Sequence, residues 1–97
     1  MSDYRPYCVD ISDVDLSKEQ AELARLLAED NHDRYADGKI KDGWRCGCQH
    51  SNGDHTDPLL KPFQQLPREI QERYIRDATI AIKAMIKFGF LVSKRAI

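Results

Sequence analysis

The stretch SKEQAELARLLAEDNHDRYADG, residues 17–38, decides the fold that the sequence predicts. Ser17 and Gln20 form an S-x-x-Q capping box, in which each side chain accepts a hydrogen bond from a backbone N–H that the first turn of a helix leaves unpaired. Apolar residues then follow at helical spacing: Leu23, Leu26, Leu27 and Ala28. We expect the helix to pass through Tyr35 and to end at Gly38, which would adopt the left-handed conformation.

A second helical segment is predicted to begin at Pro67, because proline suits a position where no backbone N–H is needed. One face of it is apolar and is predicted to pack against the leucines of the first helix: Ile70, Tyr74, Ala78, Ala81, Ile82, Met85 and Phe88. Gly89 would end this helix, and a break at Asp77 would divide it in two. Residues 90–92 would add a short strand.

The connection over residues 38–66 shows neither helical nor strand periodicity and carries several glycines and prolines. Loops of this length inside a small domain are uncommon and are often functional. The sequence therefore predicts a mainly α fold, with two to three helices packed on a long structured loop that contains at most a short β-hairpin around Trp44. Residues 1–16 would form an extended arm, residues 17–92 the helical domain and residues 93–97 a basic tail.

Composition narrows the classes of function. The chain has 97 residues, enough for one domain, and 15 basic residues against 16 acidic ones. Without a basic surplus, we expect no nucleic-acid binding, since that binding depends on a concentrated positive field. From the first residues we expect no signal peptide, and no apolar run reaches membrane-spanning length. The odd number of cysteines suits a reducing compartment. We expect a cytoplasmic protein that does not enter a membrane.

Four short motifs then occur in a specific order. They are HDRY at residues 32–35, KIKDGW at residues 39–44, DPLLKPFQQLP at residues 57–67 and GF at residues 89–90. In this order and spacing the chain resembles the RyR repeat domain, which is found in pairs in ryanodine receptor channels and also in small bacterial and viral proteins. The resemblance implies the fold of that family but no particular activity, since one fold hosts many functions. Tyr35 stands where the channel repeats have tryptophan.

The most conspicuous chemical cluster in the loop consists of Cys46, Cys48, His50 and His55. Two thiolates and two imidazoles could hold a tetrahedral zinc ion. However, only one residue separates the cysteines, whereas structural zinc sites typically begin with ligands two to four residues apart. We therefore predict that the chain binds no metal and needs no cofactor.

His32 and Asp33 could support acid–base chemistry, because histidine titrates near neutral pH. No nucleophile accompanies them at a recognisable spacing. The alternative, which we favour, is that His32 is buried and hydrogen-bonded and holds the end of the first helix against the loop. We predict that the protein is not an enzyme.

The aromatic residues Tyr35 and Trp44 lie near several cations in the sequence and could stack on a flat ring. The predicted ligand is an adenine nucleotide or another flat, anionic molecule, and the predicted site consists of His32, Asp33, Tyr35, Lys39, Trp44, Arg45 and Lys61. The alternative is a structural domain for dimerisation or for docking on a protein partner, with Trp44 as a core anchor. An open pocket at these residues would favour the first hypothesis, and a closed one the second.

Overall fold

A computed structural model describes residues 3–96, which contain two α-helices and one turn of 3-10 helix but no β-strand. Helix α1 spans Lys18–Lys41, and helix α2 spans Arg68–Lys87. The 3-10 turn, Phe63–Gln65, precedes α2. The helices are antiparallel, since Ala24 packs with Ile82 whereas His32, two turns later on α1, contacts Tyr74. The predicted mainly α fold is confirmed.

Helix α1 begins with the predicted capping box. The backbone N–H of Gln20 donates to the Ser17 hydroxyl over 3.1 Å, and the N–H of Ser17 donates to Gln20 Oε1 over 2.9 Å. The Gln20 amide has a further role, because its Nε2 donates to the carbonyl of Val92 over 2.8 Å. The cap therefore also fastens the C-terminal segment to the start of α1.

The predicted end of α1 was wrong. The helix continues through Gly38, and Gly43 is the residue with the left-handed conformation, at φ 90°. The N–H of Gly43 donates to the Ile40 carbonyl and that of Trp44 to the Lys39 carbonyl, both over 3.0 Å, which is the hydrogen-bond pattern of a Schellman motif. The motif needs a glycine only at its C′ position, which is Gly43. Gly38 lies inside the helix instead, where a glycine lowers the stability of the helix modestly.

Helix α2 begins one residue later than predicted, because Pro67 is its N-cap. The helix runs past Asp77 without the proposed break. It ends at Gly89, as predicted, where a φ of 98° and the backbone hydrogen bonds form a second Schellman motif. Residues 90–92 do not form the expected strand. The long loop likewise contains only isolated bridges, which pair Thr56 with Arg45 and Ser51.

The helices contact each other along a row of small residues on α1. Ala24 and Ala28 are buried four residues apart, and Ala24 packs against Ala78 and Ile82 of α2. Small side chains allow the helices to approach closely, so the leucines flank the contact instead of forming it. Some residues that we predicted for the core are consequently exposed: Leu26 by 56%, Met85 by 44%, Phe88 by 65%, and also Ala81.

A second apolar cluster lies where the loop returns to the helices. Ala28 of α1 is buried there against Phe63 and Leu66, and Ile70 and Tyr74 of α2 cover the cluster from the other side. The loop is therefore anchored to the helix pair by its last residues before α2. This junction of α1, α2 and the loop contains the groups described below.

Residues 3–16 form neither helix nor strand. Leu16 packs on the helix core, and Asp13 forms a 2.9 Å ion pair with Lys87, but residues 3–8 are exposed. The Cα radius of gyration is 16.8 Å, whereas a compact chain of this length would have about 12.5 Å. The described residues are therefore less compact than a globular chain of this length. Residues 1–2 of the predicted arm and residue 97 of the predicted tail lie outside the described residues.

No helix within residues 3–96 combines the length and the apolar character that crossing a membrane requires.

Candidate functional site

His32 is fully buried on α1 and joins three parts of the fold. Its Nε2 lies 2.7 Å from the carbonyl oxygen of Lys61, which can only accept, so Nε2 carries the hydrogen. Nδ1 lies 3.3 Å from the hydroxyl of Tyr74 and is hydrogen-bonded to it. Both ring nitrogens are thereby satisfied. His32 has the structural role that we favoured, holding α1 against the loop and against α2.

Asp57 is the second buried polar residue of this junction. One carboxylate oxygen, Oδ2, accepts a hydrogen bond from the hydroxyl of Tyr35, and the other, Oδ1, accepts from the backbone N–H of Leu59 over 2.9 Å. The ammonium of Lys39 lies 3.6 Å from Oδ2. A single carboxylate therefore fixes an aromatic ring of α1 and a turn of the loop relative to each other.

These contacts shift the protonation equilibria of the groups involved. Burial raises the pKa of Tyr35 to about 12, and the hydrogen bond to the Asp57 carboxylate adds to this. Burial alone would raise the pKa of Asp57, but the hydrogen bonds from Tyr35 and Leu59 and the charge of Lys39 outweigh it, so that this pKa is lowered. At neutral pH the pair is a neutral phenol that donates to a carboxylate.

Lys39 also covers Trp44. Its Nζ lies 3.5 Å from the centroid of the indole ring, close enough for a cation–π interaction, and 5.7 Å from the centroid of Tyr35. The rings of His55 and His50 lie 5.0 and 5.4 Å from that of Trp44, measured between centroids. The indole is half-buried among side chains of its own loop. This arrangement favours Trp44 as a local packing anchor over Trp44 as an open stacking surface.

Tyr35, in contrast, borders an open cleft of about 300 Å³. We call this the Tyr35 cleft, and its walls consist of Tyr35, Leu59, Ile70, Arg73, Tyr74 and Asp77. The Tyr35 side of the cleft comes from α1, whereas four of the six residues come from α2. Two tyrosine rings and two aliphatic side chains make its interior mainly apolar, with one cation and one carboxylate among the walls.

The family model of the RyR domain matches residues 4–94. The chain belongs to the RyR domain family. The matched region includes both helices, the loop and every residue of the Tyr35 cleft. The resemblance seen in the four sequence motifs is thereby confirmed.

The seven residues predicted for the ligand site of this RyR domain do not all meet. Tyr35 lines the Tyr35 cleft, with the buried ring of His32 stacked 6.2 Å from its own between centroids. Lys39 lies near Tyr35 but faces the Asp57 carboxylate and the indole ring of Trp44. The other three are likewise absent from the walls of the cleft, so that Tyr35 is the one predicted residue among them: Asp33, Arg45 and Lys61.

Each of those three has another position in the RyR domain. Asp33 is exposed on α1. The backbone of Arg45 is engaged in the bridge to Thr56, because its N–H donates to the His55 carbonyl and its carbonyl accepts from Asp57. The carbonyl of Lys61 accepts from His32. None of the cations predicted to meet phosphates, Lys39, Arg45 and Lys61, lines the cleft.

Sequence reasoning did not assign Asp57 or the cleft residues of α2 to the site. The α2 residues carried a usable signal, since Ile70, Arg73, Tyr74 and Asp77 follow the i, i+3, i+4, i+7 spacing of one helix face. The apolar residues of this face were assigned to the core, and its polar residues, Arg73 and Asp77, were assigned no role in the site. No sequence pattern indicated that Asp57 would bond to Tyr35, because that contact depends on how the loop folds back.

The four residues weighed as zinc ligands lie in the exposed part of the loop. Cys46 and Cys48 are free, exposed thiols. Within the part of the chain that the structure describes, no three His, Cys, Asp or Glu side chains are placed to share a metal ion. The absence of zinc from the purified protein stays a prediction.

Proposed function

We propose that this RyR domain is a non-catalytic binding module for a flat, anionic small molecule, with an adenine nucleotide as the leading candidate. The ligand would occupy the Tyr35 cleft. The observation that carries the proposal is an aromatic ring, held in a fixed orientation by a buried carboxylate, on the wall of an open cleft that also contains an arginine. Aromatic stacking combined with a cation is a common way of holding a nucleotide.

The fixed orientation of Tyr35 supports stacking. Its hydroxyl is bonded to Asp57 and its ring lies beside the buried His32, yet 36% of the residue remains exposed. A ring that is already ordered loses little conformational entropy when a ligand stacks on it. Leu59, fixed by the same carboxylate, belongs to the same cleft. Asp57 therefore acts as a positioning residue for two walls at once.

The arginine on α2 is the best candidate for contact with an anionic group. Arg73 lines the Tyr35 cleft, and a guanidinium can bind a phosphate through two parallel hydrogen bonds. Lys39, although near Tyr35, already faces the Asp57 carboxylate. We therefore assign the phosphate contact to Arg73 instead of to the loop cations that the sequence suggested. A volume of about 300 Å³ is at the small end of ligand pockets and suits a mononucleotide.

We propose a non-catalytic module because the ring of His32 is already hydrogen-bonded within the fold. Both ring nitrogens are engaged by groups of the fold, and the residue has no exposed surface from which to exchange a proton with a ligand. A general base must come within hydrogen-bonding reach of the proton that it removes. His32 instead has a structural role, with its ring packed beside that of Tyr35.

Calorimetric titration with ATP, ADP and AMP tests the proposal. Stacking contributes about 1–3 kcal/mol per ring, so Tyr35→Ala should weaken binding by roughly 5- to 150-fold. Tyr35→Phe keeps the ring and should bind much better than Tyr35→Ala, which separates stacking from the bond to Asp57. Arg73→Ala should weaken binding by an amount that shrinks as salt is added. Arg25→Ala, at an exposed position of α1 outside the cleft walls, is the matched control.

The outcome that contradicts the proposal is equally definite. At 100 times its Kd a ligand stabilises the folded protein by about 2.7 kcal/mol, which raises the melting temperature measurably. If the wild type shows neither heat nor a thermal shift at millimolar nucleotide, the binding hypothesis fails.

A second candidate function is a protein interaction domain, and it has its own observation. Large apolar side chains are exposed around the end of α2 and on α1: Met85, Phe88, Phe90, Leu91 and Leu26. A concentration of exposed apolar side chains is typical of a surface that contacts another protein.

A further inference from the structure

Two exposed thiols lie one residue apart in the long loop. Cys46 and Cys48 are both free and exposed, and only Gly47 separates them. Neither of them lines the Tyr35 cleft. Exposed thiols with a second cysteine beside them are typical of reversible redox sites, because the second thiol can resolve a mixed disulfide formed by the first.

The backbone keeps the two cysteines within reach of a disulfide. Two residues of fully extended chain span at most about 7 Å. The Cα atoms of a disulfide lie about 4.4–6.8 Å apart, so a modest bend of the chain is sufficient. The loop already bends at Cys48 and Gln49, and the intervening Gly47 has no side chain to oppose a further bend.

Gly47 is packed tightly on its inner side. A Cβ atom at this position would lie 2.7 Å from the Cβ of Thr56, closer than two such atoms approach in proteins. Gly47 therefore has no room to move toward Thr56. We expect a ring closed between the two cysteines to move Gly47 outward and to weaken its contact with Thr56.

The cysteine pair is joined directly to the residue that positions the Tyr35 cleft. Arg45 immediately precedes Cys46, and its carbonyl accepts a hydrogen bond from the N–H of Asp57 over 3.0 Å. The Asp57 carboxylate in turn holds Tyr35 and Leu59, which form two walls of the cleft. A displacement that begins at Cys46 therefore strains the hydrogen bond that fixes the backbone of Asp57.

We propose that Cys46 and Cys48 form a reversible disulfide by exchange with a small disulfide such as glutathione disulfide, and that this bond loosens the Tyr35 cleft. One thiolate attacks a sulfur of glutathione disulfide, forms a mixed disulfide and releases one glutathione. The other thiolate attacks the cysteine sulfur of the mixed disulfide and releases the second glutathione. The two cysteines lose two electrons and two protons, and glutathione disulfide gains them.

The disulfide and its effect on Asp57 need no ligand. Only the expected consequence for binding, a lower affinity of the oxidised protein for nucleotide, rests on the proposed function.

Mass spectrometry tests the chemistry on a Cys8→Ser chain, which keeps only the two loop thiols. After equilibration with reduced and oxidised glutathione and alkylation of free thiols, the protein should contain an internal disulfide that dithiothreitol reverses. A further Cys46→Ser or Cys48→Ser substitution leaves one thiol and should give only the mixed disulfide. The fluorescence of Trp44, the one tryptophan of the chain, should change together with the internal disulfide.

Amide hydrogen exchange of the oxidised and reduced Cys8→Ser protein tests the effect on the cleft. The amides of Asp57 and Leu59 should exchange about 5-fold faster or more in the oxidised protein, the change expected when one hydrogen bond is weakened. The amide of Ile82, at the contact between the helices, is the internal control and should be unchanged.

Gly47→Ala, in a chain with Cys46→Ser and Cys48→Ser, separates the displacement from the disulfide. The added methyl group would press against Thr56 and should quicken exchange at Asp57 without any redox chemistry. The same chain with Gly47 retained is the matched control and should exchange like the reduced protein.

Two results would overturn the proposal. The first is a protein that forms mixed disulfides in excess glutathione disulfide but no internal one. The second is an internal disulfide that leaves exchange at Asp57 and Leu59 unchanged, because oxidation would then not reach the cleft. A reduced protein that binds no nucleotide contradicts the proposed function instead, and both of these measurements remain decisive.

Discussion

Asp57 determines more of the site than any other residue, because its two oxygens hold different elements. Oδ2 accepts from Tyr35 on α1, and Oδ1 accepts from Leu59 in the loop. A carboxylate can accept several hydrogen bonds at once, whereas an amide of the same shape has only one oxygen and adds two donors. The geometry of the Tyr35 cleft therefore depends on the charge of Asp57 as well as on its size.

The first prediction concerns this carboxylate. Asp57→Asn should lower the free energy of unfolding by about 1–3 kcal/mol at pH 7, because one acceptor of a buried site is replaced by a donor. The pKa of Asp57 is lowered in the folded state, so its stabilising effect is present above the unfolded pKa of about 4 and is lost as the pH falls further. Urea denaturation at several pH values should show the two proteins converging in acid.

Asp54→Asn is the control for that measurement, since Asp54 is an exposed carboxylate of the same loop. It should change stability by less than about 0.5 kcal/mol. An Asp57→Asn protein as stable as the wild type at pH 7 would show that the hydrogen bonds of Asp57 do not hold the loop.

The second prediction concerns the partner of Asp57. Because burial and the Asp57 carboxylate raise the pKa of Tyr35 to about 12, the contact stabilises the fold fully below about pH 10 and loses its effect as the pH rises through 12. Burial also raises the pKa of Tyr74. The ultraviolet absorbance of tyrosinate should show a phenol that ionises near pH 12, and Tyr35→Phe should remove that step. Asp57→Asn should shift it to lower pH, but only in part, since burial is the larger cause. A late step that persists in Tyr35→Phe would assign it to another tyrosine.

At the scale of the elements, the contact between the helices explains which sequence predictions succeeded. The capping box at Ser17 and Gln20 and the end of α2 at Gly89 were correct, because each depends on residues within a few positions of one another. The sequence allows α1 to end at Gly38 or at Gly43, since a glycine at either position can adopt the left-handed conformation. The contact between Trp44 and Lys39 accompanies the choice of Gly43, since these residues occupy the C″ and C3 positions of that motif.

The core was harder to predict than the helices. An apolar stripe indicates which side of a helix is buried, but not whether its bulky or its small residues lie at the contact. Here Ala24 and Ala28 lie at the contact, and Leu26 faces outward. The site was likewise hard to predict where it depends on packing between elements. Tyr35 was predicted because it lies near other candidates in sequence, whereas Arg73 and Asp57 reach it only through the packing of α2 and the return of the loop.

The third prediction tests the observed helix face with two residues of α2. Ile82 is fully buried, whereas Met85, less than one turn later, is 44% exposed. Ile82→Ala should lower the free energy of unfolding by about 2–5 kcal/mol, because it leaves a cavity between the helices. Met85→Ala should cost less than about 1 kcal/mol. Chemical denaturation measures both, and equal losses would mean that the helices are rotated from the arrangement described.

At the scale of the whole molecule, the loop is ordered by contacts that need no metal ion. Its final part packs into the cluster of Phe63 and Leu66, and Asp57 ties it to Tyr35. Its exposed part is closed by Thr56, whose N–H and carbonyl pair with Ser51 and whose hydroxyl donates to the Gln49 carbonyl over 2.9 Å. Protein groups thus supply cross-links that a zinc ion often provides in small domains.

The last prediction follows from this arrangement. The purified protein should contain no stoichiometric zinc, and a chelator should leave its circular dichroism and its melting temperature unchanged. If zinc organised the loop, its binding free energy would be part of the folding free energy, so removing the metal would unfold the domain. Elemental analysis before and after chelation decides between these outcomes. Cys46→Ser with Cys48→Ser is the matched variant and should melt with the wild type, because both side chains are exposed. One equivalent of zinc, lost together with the fold in chelator and in this variant, would make the loop a metal-dependent element and would contradict the role given to Asp57 and Thr56.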